Sequence, residues 1–360
     1  FYHGSPAREV DRLRSCVVDG FVRSLFSGVV PAGNRRICLV ATGGYGRGEL
    51  SPFSDIDLMF LHTADLEEDF ALIARSIASP FWDLKIDVSY SMKTIDESIK
   101  LAEIDLVTWT SLMESRYLAG SEDMYREFKQ ELEKSSKKWG TEKYIEFLLK
   151  SSAERHKRYG DASYMLEPHI KEGAGGLRDY HAILWAARVV VGEAGISRMA
   201  EEGMLDDEEA VSLQNSVEFV SKIREHLHYR SGRKSDRLYF GVQEELAAEM
   251  GFESRNSVSP IIEFMRCYYF AARNIKEVNQ SFFKRITDRS RTYPVQSIGK
   301  GLAAGGGWIL ADDRGTAPRG IEWVMNAVRE AGRRGLEIHP DLKRTMARII
   351  ASADEDEFKA

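Results

Sequence analysis

Cysteine is scarce in this sequence, and the few cysteines present form no recognisable pattern. The 360 residues include three of them, Cys16, Cys38 and Cys267, which are odd in number and widely separated. This spacing argues against a disulfide framework and against a zinc site, because both need cysteines in pairs or clusters. The sequence therefore predicts a protein of a reducing compartment, and we expect the cytoplasm.

Long apolar runs and an excess of positive charge are also missing. Charged residues interrupt every apolar stretch well before the roughly 20 residues that span a bilayer. The formal net charge is −6 at pH 7, so the chain as a whole does not attract the phosphates of a nucleic acid. We therefore expect neither a membrane nor a nucleic acid among the partners of this protein.

The apolar residues fall into two patterns that divide the chain. Up to about residue 120, short apolar runs in RRICLVATGG, SDIDLMFLH and KIDVSYSM predict strands, with helices at 6–27 and 66–79. Farther on, apolar residues recur at three- and four-residue intervals, which predicts helices. We predict an α+β protein with a mixed sheet and helices at 1–125 and an all-α domain at 126–290.

The tail of the chain, residues 291–360, has a different character. Its stretches GKGLAAGGGW and ADDRGTAPRG are rich in glycine and small polar residues, which are typical of loops. The sequence predicts a loose linker there, followed by two short helices.

The stretch GGYGRGELSPFSDIDLMF, residues 43 to 60, combines a glycine turn with two carboxylates. Because side chains alternate along a strand, Asp55 and Asp57 point the same way and can hold Mg²⁺, which prefers oxygen ligands. Gly43 and Gly44 let backbone amides approach an anion, and Arg47 adds positive charge. The combination indicates a site for a nucleoside triphosphate and its metal.

Two common nucleotide-binding motifs do not fit this stretch. It lacks the Lys-Ser or Lys-Thr of a P-loop, and its glycine spacing is not that of a dinucleotide-binding turn. A bare Asp-x-Asp on a strand edge is more often a solvated turn or a capping pair. The adjoining glycine turn reverses that balance, because the order strand, glycine turn, spacer and acidic strand is similar to that of the polymerase-β-type nucleotidyltransferases.

A second stretch rich in glycine and charge, EPHIKEGAGGLRD, covers residues 167–179 and is called the glycine island here. Lys171 and Arg178 offer two cations beside a turn, where they can meet phosphate, and Asp179 can cap the helix that follows. The alternative is a turn between helices whose charges, including Glu172, pair with one another. We favour the cavity-lining interpretation, because glycines among charged side chains suit a ligand cleft.

The stretch RSGRKSDRLYF carries many charges but no arrangement typical of a site. We interpret its charged residues as a solvated helix end. His226 and His228 precede it and are two positions apart on a predicted helix, so they face different sides and do not form a metal pair. The charged residues assigned to the helix end are Arg233, Lys234, Asp236 and Arg237.

Together with FWDLKIDVSYSMKT, SLMESRYLAG and EFMRCYYFAARNI, these stretches resemble the bacterial PII uridylyltransferase/uridylyl-removing family from about residue 10 to 286. The resemblance implies a small polymerase-β-like nucleotidyltransferase domain followed by a helical domain. It places metal ions, expected to be Mg²⁺, on Asp55, Asp57 and a third carboxylate, Asp87, with Asp83 as the alternative. The residues expected to bind the nucleotide are Gly43, Gly44, Arg47, Ser54, Lys171 and Arg178.

The resemblance also implies an activity. It predicts transfer of UMP from UTP to a tyrosine of a PII-type signal protein, with release of pyrophosphate. Complete enzymes of the family continue into an HD phosphohydrolase domain and two ACT domains; because this chain has no His-Asp dipeptide, we expect it to correspond to the transferase half. Because the motifs do not specify the base, a related enzyme acting on another protein, a small molecule or RNA stays open, as do a nucleotide sensor without turnover and a structural scaffold.

Overall fold

The computed structural model describes residues 5–192, 195–254, 258–290, 295–312 and 320–352. The chain divides into two compact units, with the boundary between Phe282 and Phe283. No helix within the described ranges is long and apolar enough to cross a bilayer. The first unit contains nearly all of the two predicted domains, and the boundary predicted between them near residue 125 stays a prediction.

A four-stranded mixed sheet lies in the first unit. Its strands are β1 (Ile37–Ala41), β2 (Ile56–His62), β3 (Val88–Lys93) and β4 (Arg116–Gly120). The order is β3-β2-β1-β4, with β1 antiparallel to β2 and β4, and β2 parallel to β3. The predicted mixed sheet is confirmed, and β1 to β3 are the three predicted strands. β4 was not predicted as a strand, because it is short, half-buried and without apolar alternation.

Helices make up most of the rest of the chain up to Ser290, which confirms the helical pattern beyond residue 120; the last of them, α12, continues past the boundary between the units. They are α1 (Ala7–Val29), α2 (Gly43–Gly46), α3 (Glu67–Asp83), α4 (Ile95–Ala102), α5 (Leu106–Met113), α6 (Glu122–Trp139), α7 (Thr141–Tyr159), α8 (Leu177–Val191), α9 (Ile196–Glu201), α10 (Asp207–Ser231), α11 (Phe240–Glu249) and α12 (Pro260–Ser290). The ends of α10 show the local rules: Asp206 and Glu209 form a capping box at its start, and Gly232 ends it in the left-handed conformation.

The core of the sheet explains which way the aspartates face. Leu39 of β1 and Phe60 of β2 are register partners, and both are buried against Phe26 of α1 and Phe81 of α3. Burial of each such side chain stabilises the fold by about 1.5–3 kcal/mol. Because side chains alternate along a strand, Asp57 projects from the sheet face opposite this core.

The second unit contains a sheet of its own, so the prediction of a loose linker is wrong. Its strands are β5 (Gln296–Gly299), β6 (Leu302–Gly305), β7 (Trp308–Ala311) and β8 (Glu337–Ile338), in the order β5-β6-β7-β8. Gly306 and Gly307 have positive φ angles and connect β6 to β7 as a tight turn, so glycines that suggested a loop form a hairpin. The two predicted helices are confirmed as α13 (Ile321–Arg334) and α14 (Pro340–Ser352). Most of ADDRGTAPRG lies outside the described residues.

Candidate active site

A cavity of about 460 Å³ in the first unit brings the two predicted site stretches together. The glycine turn and the aspartates of β2 line one part of it, and the glycine island lines another. The predicted site residues on its wall are Gly43, Gly44, Arg47, Ser54, Asp55, Asp57, Lys171 and Arg178. Asp87 and its alternative Asp83 are not among the residues that line this cavity.

Asp55 and Asp57 each have a polar partner that the sequence did not reveal. The Oδ1 atom of Asp57 accepts a hydrogen bond of 2.6 Å from the hydroxyl of Ser89, which is its register partner on β3. The Oδ2 atom of Asp55 accepts one of 2.8 Å from the ammonium group of Lys234. Ser89 and Lys234 were missed because strand register and the path of a distant loop cannot be read from local motifs.

The glycine turn, α2, lies directly against Asp57. Gly43 has a φ of +58°, and a Cβ atom built on it would lie 2.7 Å from Oδ2 of Asp57. The amide of Thr42 donates a hydrogen bond of 3.0 Å to the carbonyl of Asp57. Amides at the end of the turn, such as those of Arg47 and Glu49, donate to carbonyls within it. A phosphate at this turn would therefore use the amides at its start.

Arg47 belongs to a buried network of charges on the cavity wall. Its Nε lies 2.8 Å from Oε2 of Glu49, and its Nη1 lies 2.6 Å from Oε2 of Glu114. Nε2 of His181 lies 3.1 Å from the same Glu49 oxygen, and the indole N–H of Trp185 donates to Glu114. Two carboxylates thus face the Arg47 guanidinium, and direct contact between Arg47 and phosphate stays a prediction. Within GGYGRGEL, Glu49 was the visible signal of this network.

The network also fixes the charge of its histidine. Burial, together with the nearby Arg47 guanidinium, lowers the pKa of His181 to about 3. Burial opposes the charge of Glu49, but Arg47 and the hydrogen bond with His181 outweigh that effect and hold the pKa of Glu49 below its ordinary value. At neutral pH the imidazole is therefore neutral and the carboxylate is charged, so the pair is an ordinary hydrogen bond to an anion.

Comparison with known proteins matches both halves of this site to family models. Residues 30–158 match the model of the nucleotidyltransferase domain, and residues 143–283 match that of the GlnD PII-uridylyltransferase. Over these residues the chain is similar to the PII-uridylyltransferase family. The segment that matches the nucleotidyltransferase domain contains the glycine turn and the aspartates, as the sequence predicted. The segment that matches the uridylyltransferase model, called the uridylyltransferase segment here, contains the glycine island.

Several proteins similar to this chain are bifunctional uridylyltransferase/uridylyl-removing enzymes. That of Rhodospirillum rubrum is 33% identical over 347 residues, which are 92% of this chain and 37% of that enzyme. That of Bradyrhizobium sp. ORS 278 is 30% identical over 374 residues, or 97% of this chain and 40% of that enzyme. That of Pseudomonas putida is 36% identical over 281 residues, or 77% and 31%. The chain therefore spans less than half the length of these relatives.

The donor atoms around the aspartates suit the divalent metal that nucleotidyltransferase domains generally use. Asp55, Asp57 and the Ser89 hydroxyl supply only oxygen, the ligand that hard cations prefer, and the missing Cβ of Gly43 leaves space at Asp57. Among the residues that the structure describes, no three His, Cys, Asp or Glu side chains form a ready-made metal site. Asp87 is exposed, and its carbonyl accepts the amide of Ile56 at 2.8 Å, so its role as third ligand stays a prediction.

The glycine island is organised around the buried carboxylate of Asp179. This side chain accepts a hydrogen bond of 2.7 Å from the amide of Gly175, lies 2.8 Å from Nε2 of His156 and pairs with Arg155. The N-cap residue of α8 is Gly176, without a side-chain cap, so Asp179 does not take the N-cap position but binds the amide just before it. Its role is to hold the turn of the island in shape.

The two cations of the island differ in their surroundings. Arg178 pairs with Glu172 at 3.2 Å and lies over the ring of Trp185, as the alternative of internally paired charges predicted. Lys171 lines the cavity and is largely buried, and no carboxylate of the described chain lies within salt-bridge distance of it. Burial, together with the Arg224 guanidinium, lowers the pKa of Lys171 to about 8. A phosphate in the cavity would supply the counter-charge that Lys171 needs.

The interpretation of RSGRKSDRLYF as a solvated helix end is wrong for Asp236. Its side chain is only 9% exposed, and its carboxylate accepts a hydrogen bond of 2.6 Å from Nε of Arg224 and lies 3.2 Å from Nε2 of His228. Lys234 is exposed, as predicted, but it also lines the cavity and reaches Asp55. The sequence signal for the burial of Asp236 was a single acid that follows a helix end rich in basic residues, because such an acid can form an ion pair with that helix.

Helix α10 also forms hydrogen bonds with the loop that precedes the aspartates. Nη1 of Arg224 donates a hydrogen bond of 2.6 Å to the hydroxyl of Ser51, and Nδ1 of the fully buried His228 contacts the carbonyl of Pro52. The start of β2 is therefore held both by the sheet and by a helix that follows about 170 residues later in sequence.

Replacement of Gly43 by Ala is expected to disturb Asp57 and lower the rate of pyrophosphate release by about 10-fold to 100-fold, because small misplacements of catalytic groups are costly. Gly48→Ala is the matched control: its φ is +72°, so it bears similar backbone strain, but a Cβ atom added there would meet no atom within 4 Å. The rates of both variants should be measured at saturating nucleotide. Equal losses in the two variants would contradict the contact between the turn and Asp57.

Triphosphate binding is expected to weaken as the pH rises through about 8, because Lys171 loses its proton there. Its lowered pKa means that the ammonium charge disappears at a lower pH than that of an ordinary lysine. Dissociation constants for a nucleoside triphosphate should be measured by calorimetry between about pH 7 and about pH 9.5 in the chain and in Lys171→Arg, whose guanidinium stays charged. The variant should show a flat profile, and the same decline in both proteins would refute the assignment.

Proposed function

We propose that this chain transfers UMP from UTP to a tyrosine of a PII-type signal protein and releases pyrophosphate, with Mg²⁺ as its metal. The observation that carries the proposal is the single cavity in which Asp55, Asp57 and the glycine turn meet Lys171 of the uridylyltransferase segment. The names of the relatives, uridylyltransferase/uridylyl-removing enzymes, favour UTP and PII over other nucleotides and acceptors. We also propose the cytoplasm as the site of action.

In the proposed reaction the tyrosine hydroxyl attacks the α-phosphorus of UTP. The new bond joins the tyrosine oxygen to phosphorus, the bond between the α-phosphorus and the bridging oxygen breaks, and the β- and γ-phosphates leave as pyrophosphate. A metal at the aspartates would lower the pKa of the hydroxyl and neutralise the charge that develops. Asp55 and Asp57 would hold it, with Asp87 as the proposed third carboxylate and acceptor of the hydroxyl proton.

The chain's own residues position the triphosphate. Gly43 and Gly44 would offer amides at the start of the turn, and Ser54 lies on the same wall of the cavity. Lys171 would neutralise phosphate oxygens, and Arg178, partly exposed beside the island, would contribute a second cation. Arg47 would act through the buried network that shapes the wall. These roles together orient the bond to be broken toward the metal.

The test is pyrophosphate release with Mg²⁺ and each of the four ribonucleoside triphosphates, with and without a PII-type protein. Release with UTP alone, dependent on the PII-type protein and absent from the Asp55→Asn/Asp57→Asn double variant, is the expected result. Transfer of another nucleotide would identify a different member of the superfamily. Binding of UTP without release in the presence of the acceptor would instead identify a nucleotide sensor and overturn the proposal.

A further inference from the structure

The ammonium group of Lys234 lies beside Asp55, where the proposed metal ion would bind. The Nζ atom of Lys234 lies 2.8 Å from Oδ2 of Asp55, and both side chains are 44% exposed. Lys234 also lines the cavity that contains the glycine turn and Lys171. One oxygen that a metal would use is therefore paired with a positive charge of the chain itself.

The loop that carries Lys234 is firmly anchored on both sides. It begins after Gly232, the left-handed residue that ends α10, and the largely enclosed carboxylate of Asp236 holds it against Arg224. The carbonyl of Asp236 accepts the amide of Ile170 at 2.9 Å, and the amide of Leu238 donates to the carbonyl of Pro168 at 2.9 Å. The loop therefore runs beside the segment that leads into Lys171. The two lysines reach the cavity from neighbouring segments that are joined by backbone hydrogen bonds.

The pair between Lys234 and Asp55 is one that can be exchanged. Half-exposed ion pairs contribute little to stability, because water screens them and both side chains lose freedom. A divalent cation binds a carboxylate far more strongly than an ammonium group binds it, so a metal can displace Lys234 from Asp55. A triphosphate then offers anionic oxygens nearby with which the ammonium group can pair. The four-carbon stem of lysine lets its charge move between such partners while the backbone stays fixed.

We infer that Lys234 is a displaceable counter-ion of the metal site. It neutralises Asp55 before the metal arrives, and when the metal and triphosphate enter, its ammonium group leaves Asp55 and pairs with a phosphate oxygen. The inference rests on the proposed nucleotidyl transfer and adds to it a positioning residue that couples metal loading to nucleotide loading. Lys171, which has no carboxylate of the described residues within salt-bridge distance, serves only the nucleotide.

The inference predicts opposite effects of one substitution. In Lys234→Met, the affinity for Mn²⁺ alone, measured by electron paramagnetic resonance, should rise by up to about fivefold, because a competing cation has gone. The affinity for UTP in the presence of Ca²⁺, measured by calorimetry, should fall by about tenfold or more, because a charge-assisted hydrogen bond is lost. A residue with a merely structural role would not move the two affinities in opposite directions.

Two further variants sharpen the test. Arg233→Gln removes the same charge from the adjacent, exposed residue and should leave both affinities unchanged. Lys234→Arg should keep both near the values of the unsubstituted chain. An unchanged or weaker affinity for Mn²⁺ in Lys234→Met, or an unchanged affinity for UTP, overturns the inference. Because the Mn²⁺ measurement needs neither nucleotide nor acceptor, its result is separate from the outcome for PII uridylylation.

Discussion

Replacement of Asp57 by Asn should lower the rate of nucleotidyl transfer by at least about 1,000-fold, or about 4 kcal/mol of transition-state stabilisation. The amide is nearly the same size as the carboxylate and can still accept the hydrogen bond from Ser89, so the fold should be retained. The lost negative charge removes the ligand on which the proposed metal depends. Single-turnover pyrophosphate release measures the effect, and thermal unfolding checks the fold.

Asp83→Asn and Asp87→Asn decide which carboxylate completes the site. Asp83 is the last residue of α3 and Asp87 lies just before β3; both are exposed, so neither substitution should unfold the chain. Asp87→Asn should reduce transfer strongly, and Asp83→Asn should leave it unchanged. Full activity of Asp57→Asn would remove the basis of the metal assignment, and the reverse order for Asp83 and Asp87 would exchange their roles.

Replacement of Gly175 by Ala should destabilise the first unit by about 3 kcal/mol. Gly175 has a φ of +85°, and a Cβ atom there would overlap the carbonyl of Ala272 in α12. The amide of Gly175 also donates to the buried carboxylate of Asp179, so a shift of the backbone would loosen the anchor of the island. The midpoint of urea unfolding reports the loss of stability.

Gly192→Ala is the control for this effect. Its φ of +82° is close to that of Gly175, but the space within 4 Å of an added Cβ atom is empty. The control should therefore bear only the cost of a left-handed alanine, about 1 kcal/mol. If both variants lose the same stability, the close approach of the island to α12 does not contribute, and backbone conformation alone explains the glycine.

Short apolar runs and helical periodicity predicted the elements that bury apolar residues. β2 was predictable because Ile56–His62 is a short apolar run that is buried along most of its length, and α10 because its apolar residues recur at helical intervals. β6 was missed because Leu302–Gly305 consists mainly of small residues, whose weak apolar contrast resembles that of a loop. Its place in a sheet follows from pairing with β5 and β7, which no local pattern contains.

The same limit applies to the site. That Asp55, Asp57 and Lys171 line one cavity was predictable because each stands in a short stretch whose glycines and charges have a chemical reason. Ser89 and Lys234 reach the site through strand register and through an anchored loop, and both depend on contacts across 32 and 179 positions of sequence. Burial can also reverse an assignment, as for Asp236, which looks solvated in the sequence and is enclosed in the structure.

The hold of α10 on the loop before β2 has a consequence for how this protein can be divided. An excised fragment that ends near residue 125 would lose Arg224 and His228, and with them the contacts that hold Ser51 and Pro52. The loop that leads into Asp55 and Asp57 would then lack its contacts with α10. Recombination that exchanges the sheet domain alone should therefore give inactive hybrids, and the two parts are expected to be inherited as a single block.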